Sequence, residues 1–158
     1  MDKNLETYVK IYDNWLDDDI CNKTISELQN ANWEKHTYTN AGESIGRSVN
    51  GEREFDITNN CMSSISSREV IMQRIWDAYQ KYLIDFNFKW FGTWSGFTEV
   101  RFNRYTVDTL MSLHCDHINI NSDVPGGKGF PTMTALGLLN DDYDGGEFEM
   151  FEIGRAHV

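Results

Sequence analysis

The segment "MSLHCDHINI", residues 111–120, brings His114, Asp116 and His117 close together in the chain. On a β-strand, residues two apart point to the same face, so His114 and Asp116 would project together and Cys115 would face away. An imidazole beside a carboxylate supplies two of the three ligands of a facial triad, which holds Fe(II) with coordination positions left open. An H-x-D triplet alone is a weak signal, because it occurs by chance in many proteins. His117 would point away from Asp116, so we interpret it as a loop or outer-sphere residue.

The segments around this motif have the pattern of consecutive β-strands. Residues 97–105, "FTEVRFNRY", alternate between two sets of side chains, as expected for a strand with two different faces. Residues 109–114, 130–140 and 146–151 also have strand character, and the turn-forming runs "NSDVPGGKG" and "DDYDGG" separate them. The motif would therefore lie at the end of a strand within an antiparallel array.

Two helices are predicted in the first half of the chain. Residues 17–30 place an apolar face at helical spacing, and Asp17 or Asp18 can cap the helix start. A longer helix is predicted from Ser66, where the run "SSRE" offers a capping box between Ser66 and Glu69. Its core-facing residues would be Ile71, Ile75, Ala78, Tyr79, Tyr82, Leu83 and Phe86.

Short extended segments accompany these helices. Residues 8–16 and 33–39 mix β-branched and aromatic residues and are predicted as strands. The polar run 40–60 is predicted as loop with short extended pieces. Helices followed by consecutive strands indicate an α+β domain with an antiparallel sandwich or barrel, because alternating βαβ units are not seen. His36 has no partner visible in the sequence and is interpreted as exposed or structural.

Composition limits the classes of partner. The chain of 158 residues suits one domain, and its 25 acidic against 14 basic residues give a net charge of −11. Such a surface repels phosphate backbones and anionic lipid, so we expect neither nucleic-acid nor membrane binding. The first residues, "MDKNLETYVK", contain no apolar stretch that could serve as a signal peptide, and no apolar run approaches the ~18 residues of a membrane span. Three widely spaced cysteines predict free thiols in a reducing cytoplasmic compartment.

The motif and its surroundings resemble the Fe(II)- and 2-oxoglutarate-dependent oxygenases of the prolyl 4-hydroxylase type. The resemblance rests on "RYTVDTLMSLHCDH", followed by "TALGLLNDDYDGGEFEMF", and covers nearly all of the chain. It implies a double-stranded β-helix of the jelly-roll or cupin kind, with supporting helices at the N-terminus. It also implies that His114 and Asp116 are iron ligands and that Tyr105 hydrogen-bonds the 2-oxoglutarate carboxylate nearest the metal.

The implied activity is hydroxylation of a C–H bond on a prolyl residue, another peptidyl residue or a small molecule. The implied cofactors are Fe(II) and the co-substrate 2-oxoglutarate, with ascorbate as a further candidate; beyond the metal ligands no catalytic residue is assigned. Two alternatives remain open. One is a non-catalytic binding domain on the same scaffold, since fold does not fix function. The other is a metal-dependent hydrolase that uses His114, Asp116 and His117, although strand geometry separates the last two.

The family's remaining residues are missing from the sequence. A distal histidine and, about ten residues later, an arginine or lysine for 2-oxoglutarate should follow further strands. His157 comes too early, and Arg155 precedes it. Residues 153–158, "IGRAHV", resemble the peptide encoded by the start of a common short-read sequencing adapter. The expectation is an incomplete oxygenase domain over 1–152, with the last strands missing, and a non-native tail over 153–158. Unpaired strand edges would make such a fragment inactive and prone to aggregation.

Overall fold

The protein combines two α-helices with a small antiparallel sheet. The structure, a computed structural model, describes residues 5–37, 53–58, 62–87, 97, 98, 100–111, 114 and 132–150. Within these ranges the sheet has three strands, β1 (Glu34–Lys35), β2 (Asp56–Thr58) and β3 (Phe102–Arg104), with β2 in the centre. Both strand pairs are antiparallel. The α+β class expected from the sequence is confirmed.

The first predicted helix is present as α1 (Asp18–Leu28). Asp17 precedes it with an extended backbone, at φ −66° and ψ 140°, as an N-cap residue should. The carbonyl of Asp17 accepts hydrogen bonds from the N–H groups of Ile20 and Cys21 at 2.9 and 3.0 Å. The cap therefore acts through its backbone, while acidic residues in the first turn favour the positive end of the helix dipole.

The second predicted helix is present as α2 (Arg68–Phe86), but the predicted capping box is wrong. Ser66 lies before the helix, and its partner is Glu27 of α1 and not Glu69. The backbone N–H and the hydroxyl of Ser66 donate to the Glu27 carboxylate at 2.9 and 2.5 Å. These bonds join the start of α2 to α1. In the described part of the chain, neither helix is long and apolar enough to cross a bilayer.

The strand predicted over residues 8–16 is wrong. A short 3-10 helix, Leu5–Tyr8, is followed by irregular backbone that lies along α2. The aromatic residues that suggested a strand bind the helix: the Tyr8 ring stacks on Phe86 with centroids 5.7 Å apart. Three hydrogen bonds add to this contact, from Tyr82 Oη to the Tyr8 carbonyl, from Tyr12 Oη to Asp85, and from Trp15 Nε1 to the Arg74 carbonyl.

The strands lie where extended segments were expected, but they are short. β1 falls within 33–39 and β3 within 97–105, while β2 is one of the extended pieces predicted in the polar run. Cross-strand partners align Lys35 with Asp56 and Asp56 with Arg104. Asp56 pairs with both neighbours, with its carboxylate oxygens 3.0 Å from Lys35 Nζ and 2.8 Å from an Arg104 guanidinium nitrogen. One carboxylate thus connects all three strands.

The helices pack on one face of the sheet. The core contains Leu28, Ile65, Ile71 and Phe102, and partly buried Trp33 and Val100 pack against it. Because side chains alternate along a strand, the residues between these must point away from the helices. We call the helix side the covered face, formed by Trp33, Lys35, Asp56, Thr58, Phe102 and Arg104. We call the other side the open face, formed by Glu34, His36, Phe55, Ile57, Arg101, Asn103 and Tyr105.

The strands predicted over 130–140 and 146–151 are wrong for residues 132–150, which form no strand. A strand needs a partner for its N–H and C=O groups, and the local alternation of apolar residues does not supply one. Leu139 packs against the core, whereas Leu138 is 75% exposed. The predicted glycine turn is confirmed, because Gly145 and Gly146 adopt φ values of +80° and +76°. A side chain at either position would be strained.

Candidate functional site

A stack of three rings crosses the open face. The His36 N–H donates to the Phe55 carbonyl at 2.9 Å, and the register of β2 and β3 continues to bring Tyr105 opposite Phe55. The centroid of the Phe55 ring is 4.6 Å from that of His36 and 4.8 Å from that of Tyr105. Phe55 is completely buried, while Tyr105 remains 50% exposed. Cross-strand aromatic pairs of this kind stabilise a sheet and fix the orientation of the outer rings.

A buried carboxylate lies beside this stack. Glu54 is 0% exposed, and one of its carboxylate oxygens lies 3.4 Å from His36 Nδ1. Burial lowers the pKa of His36 from its usual 6.5, and the hydrogen bond between His36 and the Glu54 carboxylate opposes that shift. A buried carboxylate requires polar partners, so the imidazole and the carboxylate hold each other in position. The His36–Glu54 pair therefore places a buried polar group of fixed orientation beside the three stacked rings.

A tight turn follows Tyr105 and reverses the chain. The N–H of Thr109 donates to the Thr106 carbonyl at 3.0 Å. The Thr109 hydroxyl accepts from the Thr106 N–H and donates to the Thr106 carbonyl, both at 2.8 Å. Asp108 has a left-handed backbone with φ 64°, which aspartate tolerates better than most residues. The chain that leaves this turn runs back toward β2.

One backbone contact attaches the returning chain to the sheet. The N–H of Leu110 donates to the Arg53 carbonyl at 2.9 Å, and Leu110 and Glu54 form a parallel bridge. This bridge is what the described residues retain of the strand predicted over 109–114. It brings the segment that leads to His114 beside the buried Glu54. The motif is therefore anchored four residues before its first histidine.

His114 and Arg101 belong to the same electrostatic neighbourhood as the ring stack. The charges of Arg101 and His114 both act to lower the pKa of His36, after the larger effect of burial. Burial raises the pKa of Tyr105, while the charge of Arg101 lowers it and that of Glu54 raises it. The side chains of His114 and Tyr105 are both open to solvent. His114 thus influences His36 at one end of the ring stack, and Tyr105 forms the other end.

The structure describes part of the predicted site. Tyr105 and His114 are described, whereas Asp116, His117 and residues 153–158 lie outside the described residues. Among the described residues, no three His, Cys, Asp or Glu side chains form a group that could hold a metal ion. His114 is thus the one predicted iron ligand that the described residues provide, and it is accessible for coordination.

Sequence reasoning missed part of this arrangement. His36 was interpreted as exposed or structural, and the structure favours the second alternative, because it is 9% exposed and pairs with Glu54. The alternation in "FTEVRFNRY" does contain one usable signal, since it puts Arg101, Asn103 and Tyr105 on one face of β3. Nothing in the sequence indicated that Glu54, in a polar run, would be buried beside this face.

Comparison with known proteins gives no match to a protein-family model, a curated protein or a solved structure. The function proposed below therefore depends on the motif, which contains Tyr105 and His114, and on the geometry of the open face, to which His36 belongs.

Proposed function

We propose that the chain is an Fe(II)- and 2-oxoglutarate-dependent dioxygenase domain that hydroxylates a C–H bond. The observation that carries the proposal is that His114 acts electrostatically on His36, which belongs to the same ring stack as Tyr105. Tyr105 and His114 are nine positions apart in the sequence, and the Leu110 bridge holds the chain between them beside Glu54. The resemblance assigns the tyrosine to 2-oxoglutarate and the histidine to iron.

His114 and Asp116 would hold the iron, with an imidazole nitrogen and a carboxylate oxygen as donors. When bound, the iron and 2-oxoglutarate supply the oxidising chemistry, which consumes O2 and releases succinate and CO2. The Tyr105 hydroxyl would donate a hydrogen bond to the 2-oxoglutarate carboxylate. Burial raises the pKa of Tyr105, so the phenol keeps its proton and remains a donor at neutral pH. The stack on Phe55 holds the ring in place.

The proposed scaffold is a double-stranded β-helix. In support, the helices pack on one face of an antiparallel sheet and leave the opposite face to the candidate site. The outer surface of such a barrel would correspond to the covered face and its interior to the open face. Polar and aromatic groups on the open face suit an interior that receives a small ligand.

We propose a cytoplasmic location and a small-molecule or peptidyl substrate. Cys21 is a buried free thiol, which suits a reducing compartment. A reducing compartment would also keep iron ferrous. The net charge of −11 argues against nucleic acid as a substrate.

The proposal is tested on the purified chain by metal binding and by turnover. Co(II), as a spectroscopic substitute for Fe(II), should give an absorption band that sharpens with 2-oxoglutarate, and Fe(II) with 2-oxoglutarate should release succinate. His114→Ala should abolish both signals. Glu34→Ala, a matched change at an exposed open-face residue, should leave them unchanged.

Tyr105→Phe separates the role of the tyrosine from that of the metal ligands. It should weaken 2-oxoglutarate binding while the Co(II) spectrum without 2-oxoglutarate is preserved. A folded chain that binds neither Co(II) nor 2-oxoglutarate would contradict the proposal. It would favour the non-catalytic binding domain.

A further inference from the structure

Two arginines, Arg104 in strand β3 and Arg101 directly before it, have opposite surroundings. Arg104, on the covered face, donates to Asp56 at 2.8 Å, and its guanidinium lies 4.4 Å from the centroid of the Trp33 ring. Arg101 is exposed on the open face. It makes no hydrogen bond or ion pair with any other residue in the described ranges. Arg104 thus stabilises the sheet, whereas Arg101 is available to bind a ligand.

The acidic group described at the site is paired with His36. Glu54 is completely buried, and its carboxylate is directed to His36 at 3.4 Å. The positive charge of Arg101 nevertheless influences both His36 and Tyr105. Arg101 therefore provides a local positive potential beside the candidate site.

This local positive potential is opposite in sign to the net charge of the whole chain. With a net charge of −11, the protein repels anions at long range, so an anionic ligand needs a local cation to bind. A guanidinium suits this task, because its planar fork binds a carboxylate through two parallel hydrogen bonds. Its position next to a paired strand also holds the group more firmly than a loop would.

We propose that Arg101 binds a carboxylate group of the substrate on the open face, so that the substrate of this site is an acidic molecule. The inference rests on the proposed function for the reaction itself, but carboxylate binding at Arg101 does not require the metal. Asn103 lies between Arg101 and Tyr105 on the open face, where its side-chain amide could hydrogen-bond to the bound substrate. The bound group would thus extend along β3 toward Tyr105 and His114.

The first experiment measures carboxylate binding in the metal-free chain, with chelator present. Acetate is titrated while the arginine Nε–H signals are followed by ¹⁵N NMR, and acetamide serves as the uncharged probe. Acetate should shift the Arg101 signal in a saturable manner, and acetamide should not. In Arg101→Gln, where the neighbouring backbone N–H signal of Phe102 replaces the lost arginine signal, acetate binding should weaken about tenfold or more, as expected for loss of a charged hydrogen bond.

The matched control is Arg104→Gln, on the same strand and the opposite face. The remaining Arg101 signal should respond to acetate as in the parent chain. Arg74→Gln, which removes an exposed arginine of α2, is a second control should Arg104→Gln fold poorly. Equal shifts at all arginines, or no shift at Arg101, would overturn the proposal.

A second experiment separates a free acid from an acidic peptide. N-acetyl-Gly-Glu-Gly-amide is compared with its Gln analogue in the same titration. Tighter binding of the Glu peptide than of acetate would support a peptidyl acid, and tighter binding of acetate would support a small acid. Equal binding of the Glu and Gln peptides would overturn recognition by charge. Because no metal is present, loss of dioxygenase activity alone would leave these results intact.

Discussion

The covered and open faces of the sheet are built from alternate residues of the same strands, yet their side chains have different partners. On the covered face, Phe102 is buried and Asp56 forms ion pairs with both Lys35 and Arg104. On the open face, Arg101 is exposed and Tyr105 presents half of its surface to solvent. The polar groups of the covered face hold the strands together, whereas the open face has polar groups that remain accessible to solvent.

This difference shows how a very small sheet can combine stability with a candidate site. A change on the covered face should act mainly on the free energy of unfolding. A change at an exposed residue of the open face should act mainly on ligand binding. Glu54, Phe55 and His36 are the exceptions, because they are buried although they belong to the candidate site.

The largest expected effect is loss of the buried aromatic ring on the covered face. Phe102→Ala should lower the free energy of unfolding by about 3–5 kcal/mol, since it removes apolar contacts and leaves a cavity. Asn103→Ala, the adjacent residue on the open face, should change it by less than about 0.5 kcal/mol. Urea denaturation followed by circular dichroism measures both. Similar losses for the two variants would break the distinction between the faces.

A smaller loss is expected when the buried carboxylate of the site is removed. Glu54→Ala should cost about 1–3 kcal/mol, because the buried imidazole of His36 loses a polar partner. The same denaturation experiment applies, with Glu34→Ala as an exposed glutamate control from the open face. A Glu54 variant as stable as the Glu34 variant would show that the buried pair is dispensable for folding.

The shared ion pair of the covered face should contribute less. Asp56→Asn keeps the shape of the side chain but removes the charge between Lys35 and Arg104. Because both cations are about two-fifths exposed, we expect a loss of about 1 kcal/mol. Added salt should reduce the difference between parent and variant. A salt-independent difference would mean that the neutral hydrogen bonds, and not the charge, hold this row together.

Acidification of the metal-free chain should affect the open face first. Burial lowers the pKa of His36 from 6.5, so the unfolded chain binds this proton more tightly and stability falls as the pH drops below about 6.5. The hydrogen bond from Arg104 lowers the pKa of Asp56 from 3.8, so that contribution is lost only as the pH falls below about 3.8. Urea midpoints from pH 8 to pH 3 should show both steps. His36→Gln should remove the first step, and Asp56→Asn should reduce the second, to which Glu27 and Asp85 also contribute because their pKa values are lowered by hydrogen bonds.

The sequence predicted the parts of the fold that depend on local pattern. The spacing of apolar residues identified α1 and α2, and the alternation over 97–105 identified β3 and its two faces. The segments 8–16 and 132–150 were wrongly predicted as strands. Aromatic contacts with α2 hold the first, and the second has no strand partner among the described residues. Local alternation cannot reveal either condition.

The candidate site was predicted from the sequence only where a motif carried it. His114 and Tyr105 were selected in this way, and their roles stay predictions. His36 and Glu54 could not be recognised, because their pairing joins residues 18 positions apart across two strands. Burial of a glutamate in a polar run follows from that pairing and from no property of the run itself.

The contacts that hold the sheet and the chain returning at Leu110 join residues far apart in the sequence, and this has a consequence for the order of folding. Contacts within α1 and α2 close short loops, whereas Asp56 and Arg104 are separated by 48 residues and Arg53 and Asp108 by 55. Closing longer loops costs more chain entropy and slows the formation of such contacts. We therefore expect the helices to form early and the ring stack to close late. Phe55→Leu should then accelerate unfolding more than it slows refolding in stopped-flow measurements. If the ring stack closes last, the candidate site forms only at the final step of folding.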